Sequence, residues 1–368
     1  MALRIALSGF VVLVVAMGIG RFAFTPQVPL MIAAGQLTLT SAGLVAAMNY
    51  LGYLVGAWDA MRAHRFVETR LWLGITGAVA LTLLSAAAEN AVVHGLLRFV
   101  IGCMSGWSMV LIAAWTNERL GQLGKPGLSA AVFAGPGAGI ALSGLLAVYI
   151  QAKSLSAGAA WQIYGVLALV LIVLVARYLP RAGQLHRPGT APEPLLLTAD
   201  LRRLVWSYSL AGFGYILPAT FLSQMAAVRF PGSLFAQFVW PIFGAASVVG
   251  IALSIALRHT SSANRRLAIV LWLQGIGVLA AWLLPGIGGL LTGGCWWAAG
   301  SSAPCSSLFC TVASWRQTTR VTWRDCSPPG MPLVSWWVRS RRLCRPGSRT
   351  VWNLRWGWRG SRCSLAER

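Results

Sequence analysis

The chain has 368 residues, of which 57% are hydrophobic and 10% are charged, with a mean hydropathy of +0.67. Soluble domains are roughly 45–50% apolar and about 25% charged, so this composition excludes a soluble globular protein. The formal net charge is +22, and 12 of the 30 Lys and Arg residues follow residue 294. The regions on either side of that position are therefore interpreted separately.

Apolar windows predict nine membrane spans in chain order, and a tenth begins at 286–294. The nine windows are 5–32, 41–60, 71–88, 91–115, 128–150, 160–178, 203–226, 234–256 and 267–284. A cleaved signal peptide does not fit the first window, because Arg21 and Phe22 stand where small residues should precede cleavage. The predicted fold class is an all-α, polytopic membrane protein.

Basic residues in the loops are distributed asymmetrically. With a cytoplasmic N-terminus, 14 of the 18 Lys and Arg residues before position 294 lie on the cytoplasmic side. Only Lys153 and Arg229 lie on the opposite side, while Arg21 and Arg98 fall within spans. This bias predicts a multi-pass protein of a bacterial inner (cytoplasmic) membrane with its N-terminus in the cytoplasm.

An internal repeat relates two parts of the chain. Three pairs match in order: Gly18-Ile19-Gly20 with Gly212-Phe213-Gly214, Val55-Gly56 with Val249-Gly250, and Leu71-Trp72-Leu73 with Leu271-Trp272-Leu273. The expected domains are an N-terminal six-helix bundle at 1–179, a cytoplasmic linker at 180–202 and a partial C-terminal bundle at 203–294. Parallel duplication of this kind is typical of a large class of secondary transporters that hold solute between the halves.

Two local runs point to a known family. GIGRFAFTP at 18–26 and NYLGYLVGA at 49–57 resemble the YbfB/YjiJ-like subgroup of the major facilitator superfamily. The resemblance covers residues 1–294. It implies a two-bundle fold whose second bundle is truncated here, and secondary active transport of a small organic solute by alternating access.

Two further motifs resemble gating elements of that superfamily. Gly135-Pro136-Gly137-Ala138-Gly139 is similar to the core of its antiporter-associated motif, which implies efflux and a structural, gating role for Gly135, Pro136 and Gly139. The segment 56–65 is similar to its gating loop, which implies a comparable role for Gly56, Asp59 and Arg65.

Two arginines lie inside predicted spans. A charged side chain at the centre of a span costs about 2.5–3.5 kcal/mol on insertion scales, so both should face protein or a water-filled cavity. The guanidinium of Arg21 could bind an anionic or carbonyl-bearing solute, or it could snorkel or bond to broken backbone near Pro26. For Arg98, solute binding, proton coupling and pairing with a backbone carbonyl all stay open. Its helical face also holds Gly102, Ser105 and Gly106, where small residues could let another helix approach.

The repeat adds one candidate, because Tyr215 occupies the position equivalent to Arg21 and could face it across a cavity. Asn49, which opens the second family-like run, completes the predicted substrate-binding set of Arg21, Asn49, Arg98 and Tyr215.

Few residues in the predicted spans could couple solute transport to the movement of an ion. The six acidic residues before position 294 lie at span ends or in loops, and only Asp59 could be reached from a cavity. Uniport, anion exchange and proton coupling through Asp59 all stay open. We expect membrane lipid and a small solute as partners, and no cofactor, metal or nucleic acid. A membrane-embedded enzyme or sensor is the rival class, although no intramembrane His, Cys or carboxylate cluster supports catalysis.

The tail at 295–368 has a different composition. It contains 9 of the 18 Trp, 6 of the 7 Cys and 12 Arg, but no Lys. These residues are what G+C-rich codons encode when they are read out of register, so a frameshift near 288–298 is predicted. The tail would then be aberrant or disordered, and a non-functional truncated transporter is an alternative product. The absence of any C-x-x-C pair argues against a metal module, and the Trp pairs argue against a basic nucleic-acid arm.

Overall fold

The computed structural model describes residues 1–63, 65–181, 183–185, 199–257, 263–284, 286, 288–296 and 298, all within one compact unit, Met1–Val312. Some side chains of 199–218 and 263–267 are also outside the described part. Most of the predicted linker and of the predicted aberrant tail therefore lie outside the described residues. Every regular element within those residues is helical.

Eleven α-helices follow one another along the described residues. They are α1 (Ala2–Leu13), α2 (Phe24–Ala33), α3 (Leu39–Arg62), α4 (Val67–Leu84), α5 (Ala91–Gln122), α6 (Gly127–Val132), α7 (Gly135–Ala152), α8 (Ala157–Val175), α9 (Ala199–Arg229), α10 (Leu234–Ala256) and α11 (Ala263–Leu283). A π-helical segment at Val14–Phe22 joins α1 to α2, and short 3₁₀ turns follow α4 at Ser85–Ala87 and α8 at Ala176–Tyr178.

Eight helical stretches in the described residues are long and apolar enough to cross a membrane. They are Ala2–Ala33, Leu39–Arg62, Val67–Ala87, Ala91–Gln122, Gly127–Ala152, Ala157–Tyr178, Ser209–Arg229 and Leu234–Ala256. The ninth predicted window lies in α11, whose apolar part, Ala268–Leu283, is shorter. The prediction of an all-α, polytopic membrane protein is confirmed.

The first span is continuous but irregular. Its π-helical segment, Val14–Phe22, lies just before Pro26, which lacks the backbone N–H that a regular turn would use. The carbonyl of Gly20 in this wide turn accepts a hydrogen bond of 2.9 Å from Nη1 of Arg98. A side chain of α5 thereby satisfies a backbone group that would be costly to leave unpaired in a membrane.

Glycines hold α3 and α5 in backbone contact. Gly52 and Gly56 on α3 face Gly102 and Gly106 on α5, and each pair has the four-residue spacing that places both glycines on one helical face. A Cβ at Gly52 would meet the carbonyl oxygen of Phe99, and one at Gly106 would lie 2.7 Å from the carbonyl oxygen of Tyr53. The predicted approach of another helix to this face of α5 is confirmed, because small residues permit close packing where lipid supplies no hydrophobic drive.

We call α1–α8 the first half and α9–α11 the second half. The second half packs against the first through α10 and α7. A Cβ at Gly144 would lie 2.7 Å from the nitrogen of Pro241, and one at Gly244 would meet the backbone of Ala141. The apolar core of the second half also includes Ile140 of α7. The two halves are therefore in direct backbone contact.

The repeat-related positions lie in corresponding helices of the two halves. Gly56 is on α3 and Gly250 on α10, the second spans of their halves, and both are buried. Gly18 contacts Gly139 of α7, whereas a Cβ at Gly212 on α9 would meet no other described helix within 4 Å. After α11, described helical residues continue at 288–296.

Candidate functional site

Arg21 lies in a box of aromatic rings. Its Cζ is 4.0 Å from the ring centroid of Tyr53, 5.0 Å from that of Tyr50 and 5.1 Å from that of Phe22. These distances are within the range of favourable cation–π contact. The Nε of Arg21 is buried without a hydrogen-bond partner in the described part of the chain. The guanidinium is held in place by rings but retains an unused donor.

A small cavity joins Arg21 to the second half. It is lined by Phe22, Phe24, Thr25, Ala46 and by the polar set Arg21, Asn49, Tyr50 and Thr220. The hydroxyls of Tyr50 on α3 and Thr220 on α9 are 2.6 Å apart, and they form a hydrogen bond between the halves. The cavity measures about 10 Å³, which is room for a single water molecule, so a solute could enter only if the surrounding helices moved apart. We call it the Arg21 cavity.

Asn49 is buried and tied to α5. Its Nδ2 donates a 2.9 Å hydrogen bond to the backbone carbonyl of Arg98, so the amide is oriented while its side chain lines the Arg21 cavity. Of the four predicted substrate-binding residues, the structure brings Arg21 and Asn49 together. The side chain of Tyr215, on α9, lies outside the described part of the chain.

Arg98 is placed differently from Arg21. Its side chain is fully buried, and besides the bond to Gly20 its Nη2 is 3.3 Å from Oγ of Ser85. The guanidinium lies 4.3 Å from the ring centroid of Trp161. Arg98 does not line the Arg21 cavity. Of the roles left open for it, pairing with a backbone carbonyl is the one visible in this arrangement.

Four residues near these arginines were not singled out from the sequence as binding groups. Tyr50, Tyr53 and Thr220 line or enclose the Arg21 cavity, and His94 is fully buried one turn before Arg98, with its ring 6.5 Å from that of Trp161. Tyrosines next to Asn49 in an otherwise apolar span are the signal that could have indicated the first two. In the sequence His94 stands near the start of a span with no second histidine beside it, so no pattern marks it as a binding group.

The glycine motif of α7 contacts helices on two sides. Gly135 and Gly139 face the first span: a Cβ at either would lie 2.5–2.6 Å from the carbonyl oxygen of Phe10 or Val14. Gly137 faces the second half, where a Cβ would lie 2.9 Å from Cβ of Ser247 on α10. Pro136 stands in the first turn of α7, where its missing N–H leaves no helical bond unmade. The motif therefore places α7 between the first span and α10.

The loop after α3 is held by an ion pair. Arg70 donates from Nε to Oδ2 of Asp59 at 2.8 Å, and Nε1 of Trp107 donates to the same oxygen at 2.8 Å. Nη1 of Arg70 also donates to the backbone carbonyl of Arg65 at 2.6 Å. Gly56 lies on α3 against the backbone of α5. Asp59 and Arg65 are thus brought together through Arg70, away from the Arg21 cavity.

Solved structures with the same fold include a bacterial homologue of the human lysosomal transporter Spinster. Its inward-facing occupied structure has a TM-score of 0.52 and 15% identity, and the match covers 83% of this chain and 72% of that one. Its inward-facing unoccupied structure has a TM-score of 0.52 and 16% identity, with 82% and 74% covered. At this identity the likeness shows the fold alone. No curated protein matches the chain.

The sequence pattern of one transporter family matches most of the chain. That family is described as the uncharacterised MFS-type transporter YbfB, and the match extends over residues 13–307. It includes the Arg21 cavity, the glycine motif of α7, most of the first span and the other seven spans in full. This is a multi-pass membrane protein whose family and fold point to transport of a small molecule and away from catalysis, and the chain belongs to the YbfB family of the major facilitator superfamily.

Proposed function

We propose that the chain is a secondary active exporter of a small organic solute, that it works by alternating access, and that it resides in the bacterial inner (cytoplasmic) membrane. The observation that carries the proposal is the position of α7, which has glycines in backbone contact with the first span on one side and with α10 on the other. Surfaces made of small residues let helices slide or rock without side chains interlocking. A helix shared in this way between the halves supports a gating role for Gly135, Pro136 and Gly139.

The Arg21 cavity is the proposed solute contact between the halves. It combines a guanidinium with an unused donor, an oriented amide on Asn49 and a hydroxyl pair from α3 and α9. Donors of this kind suit an anionic or carbonyl-bearing solute. Breaking the bond between Tyr50 and Thr220 would open the cavity, so solute entry and movement of the halves would be coupled.

We also propose the direction of transport and the orientation of the protein in the membrane. The likeness of 135–139 to an antiporter motif supports export, and the excess of basic residues in the loops on one side supports a cytoplasmic N-terminus. The driving ion stays open between anion exchange and proton coupling. Asp59, which is ion-paired with Arg70, would contribute to gating through the loop after α3.

Transport by purified protein in proteoliposomes tests the proposal. We expect the cation 1,4-diaminobutane to remain at the level of protein-free liposomes. At least one of two other radiolabelled probes, succinate and succinamide, should accumulate above that level. Arg21→Ala should lower its initial rate about tenfold, because losing one charge-assisted contact is worth about 1.4 kcal/mol or more. Arg21→Lys should retain an intermediate rate, since it keeps the charge but loses the planar fork.

The matched control is Arg62→Ala. Arg62 also stacks on an aromatic ring, 4.1 Å from the centroid of Trp58, but it is exposed at the end of α3. Its replacement should leave the rate unchanged. Equal losses in Arg62→Ala and Arg21→Ala, or accumulation of neither succinate nor succinamide, would overturn the proposal.

A further inference from the structure

A second, larger cavity lies where the halves meet on the side of the membrane bundle opposite to the N-terminus. It measures about 260 Å³ and is bounded by residues 26–30 of α2, by the end of α7, by α9, and by the turn at 230–233 that leads into α10. This volume is slightly below the range of about 300–1,000 Å³ for drug-sized ligands, so the cavity suits a smaller molecule. We call it the Gln27 cavity, after the buried amide in its wall.

The Gln27 side chain has a determined orientation. Tyr164 Oη donates to the carbonyl of Ser143 at 2.9 Å, which uses its single proton. Toward Gln27 it can therefore only accept, and Nε2 of Gln27 donates to it at 3.0 Å. The amide is held with Oε1 as its remaining group. Among the residues that the structure describes, that oxygen has no hydrogen-bond partner, and it belongs to a side chain that is 1% exposed.

The wall that α9 contributes to the cavity also has an unpartnered polar atom. Oγ of Ser223, on α9, is also buried without a hydrogen-bond partner, and the amides of Gln151 and Gln237 line the same space. An unpaired buried polar group costs about 1–3 kcal/mol, so both atoms favour a molecule that supplies the missing bonds. Because Gln27 contributes an acceptor, that molecule must bring an N–H or O–H donor.

The residues that line the cavity also disfavour a charged ligand. None of the described residues that line the Gln27 cavity is charged. Lys153 and Arg229, near the ends of α7 and α9, are exposed to the surroundings. An ion that entered the cavity would lose its water without gaining a counter-charge, whereas a neutral polar molecule would exchange water for Gln27 and Ser223.

We infer that the Gln27 cavity binds a neutral, hydrogen-bonding solute that presents an N–H or O–H donor to Oε1 of Gln27, and that a primary amide is the class that fits best. An amide would also offer a carbonyl to Arg21 further along the first span. The inference rests on the proposed transport function and narrows its substrate from carbonyl-bearing or anionic molecules to neutral ones. The Gln27 cavity then serves as the solute's site on that side of the membrane.

Binding to the purified full-length chain in detergent tests this inference without requiring transport. The probes are succinamide, succinate and 1,4-diaminobutane, which share a four-carbon chain and are neutral, anionic and cationic, respectively. Succinamide should raise the unfolding temperature saturably, while the other two at equal ionic strength should not. Gln27→Leu should weaken succinamide binding about tenfold, and Ser223→Ala should weaken it by a smaller factor.

Two variants provide the controls. Gln36→Leu removes a glutamine whose Oε1 is likewise buried and unpartnered but which does not line the cavity, and it should bind succinamide as the unaltered chain does. Gln27→Glu retains the shape and adds a carboxylate, so it should gain affinity for 1,4-diaminobutane. Stabilisation by succinate to the same extent, absence of stabilisation by succinamide, or unchanged affinity in Gln27→Leu and Ser223→Ala would overturn the inference. Binding without transport in proteoliposomes would instead count against the proposed function alone.

Discussion

At the scale of single residues, the two intramembrane arginines have different surroundings. Arg98 is fully buried, bonded to Gly20 and stacked on Trp161. Arg21 is enclosed by rings but keeps a free Nε beside a cavity. Both satisfy the rule that charge in a membrane must face protein, and each has an Nε without a hydrogen-bond partner among the described residues, but only Arg21 lines the Arg21 cavity.

Replacement of Arg98 should be destabilising. Arg98→Ala leaves the carbonyl of Gly20 without its side-chain donor and opens a cavity beside Trp161. We expect the free energy of unfolding in detergent to fall by about 3 kcal/mol. Denaturant titration followed by Trp fluorescence measures it, with Arg62→Ala as the exposed control. A stable Arg98→Ala protein that had lost only transport would assign Arg98 to solute binding or proton coupling instead.

At the scale of helices, glycine rather than bulky apolar residues determines which helices meet. Paired glycines bring α3 and α5 into backbone contact, and the α7 motif does the same toward the first span and α10. Hydropathy identifies all these segments as membrane helices without distinguishing their partners, because every face is apolar. The contacts instead follow from the spacing of the small residues.

A methyl group added at one of these contacts should separate the helices. In Gly52→Ala the new Cβ would meet the carbonyl oxygen of Phe99, so we expect the free energy of unfolding to fall by about 2 kcal/mol. Gly121→Ala is the control, since Gly121 is also helical but a Cβ there would meet no other described helix within 4 Å. There alanine should raise the stability by about 0.5–1 kcal/mol. Equal effects in the two proteins would contradict the close packing of α3 on α5.

At the scale of the whole molecule, the amino-acid composition changes near residue 294. The family match ends at residue 307, and residues 299–368 lie outside the described part of the chain. We predict a reading-frame change near 288–298. Resequencing the 3′ region of the gene and its transcript should recover a frame that encodes further apolar spans after that point. Detection of peptides with the Trp- and Arg-rich sequence in the purified protein, from an intact frame, would contradict the prediction.

The sequence by itself determined the membrane environment, the approximate position of most spans and the family, and it predicted two repeated halves. Span length, charge bias and repeats are one-dimensional properties, so they can be read directly from the order of residues. Only the tertiary structure decided which distant polar groups form hydrogen bonds: Tyr50 pairs with Thr220 across 170 positions, and Gln27 with Tyr164 across 137. It also separated Arg21 from Arg98. The rotation of each helix and the neighbour that packs on it fix the surroundings of a side chain, and in an apolar bundle these depend on contacts between distant segments.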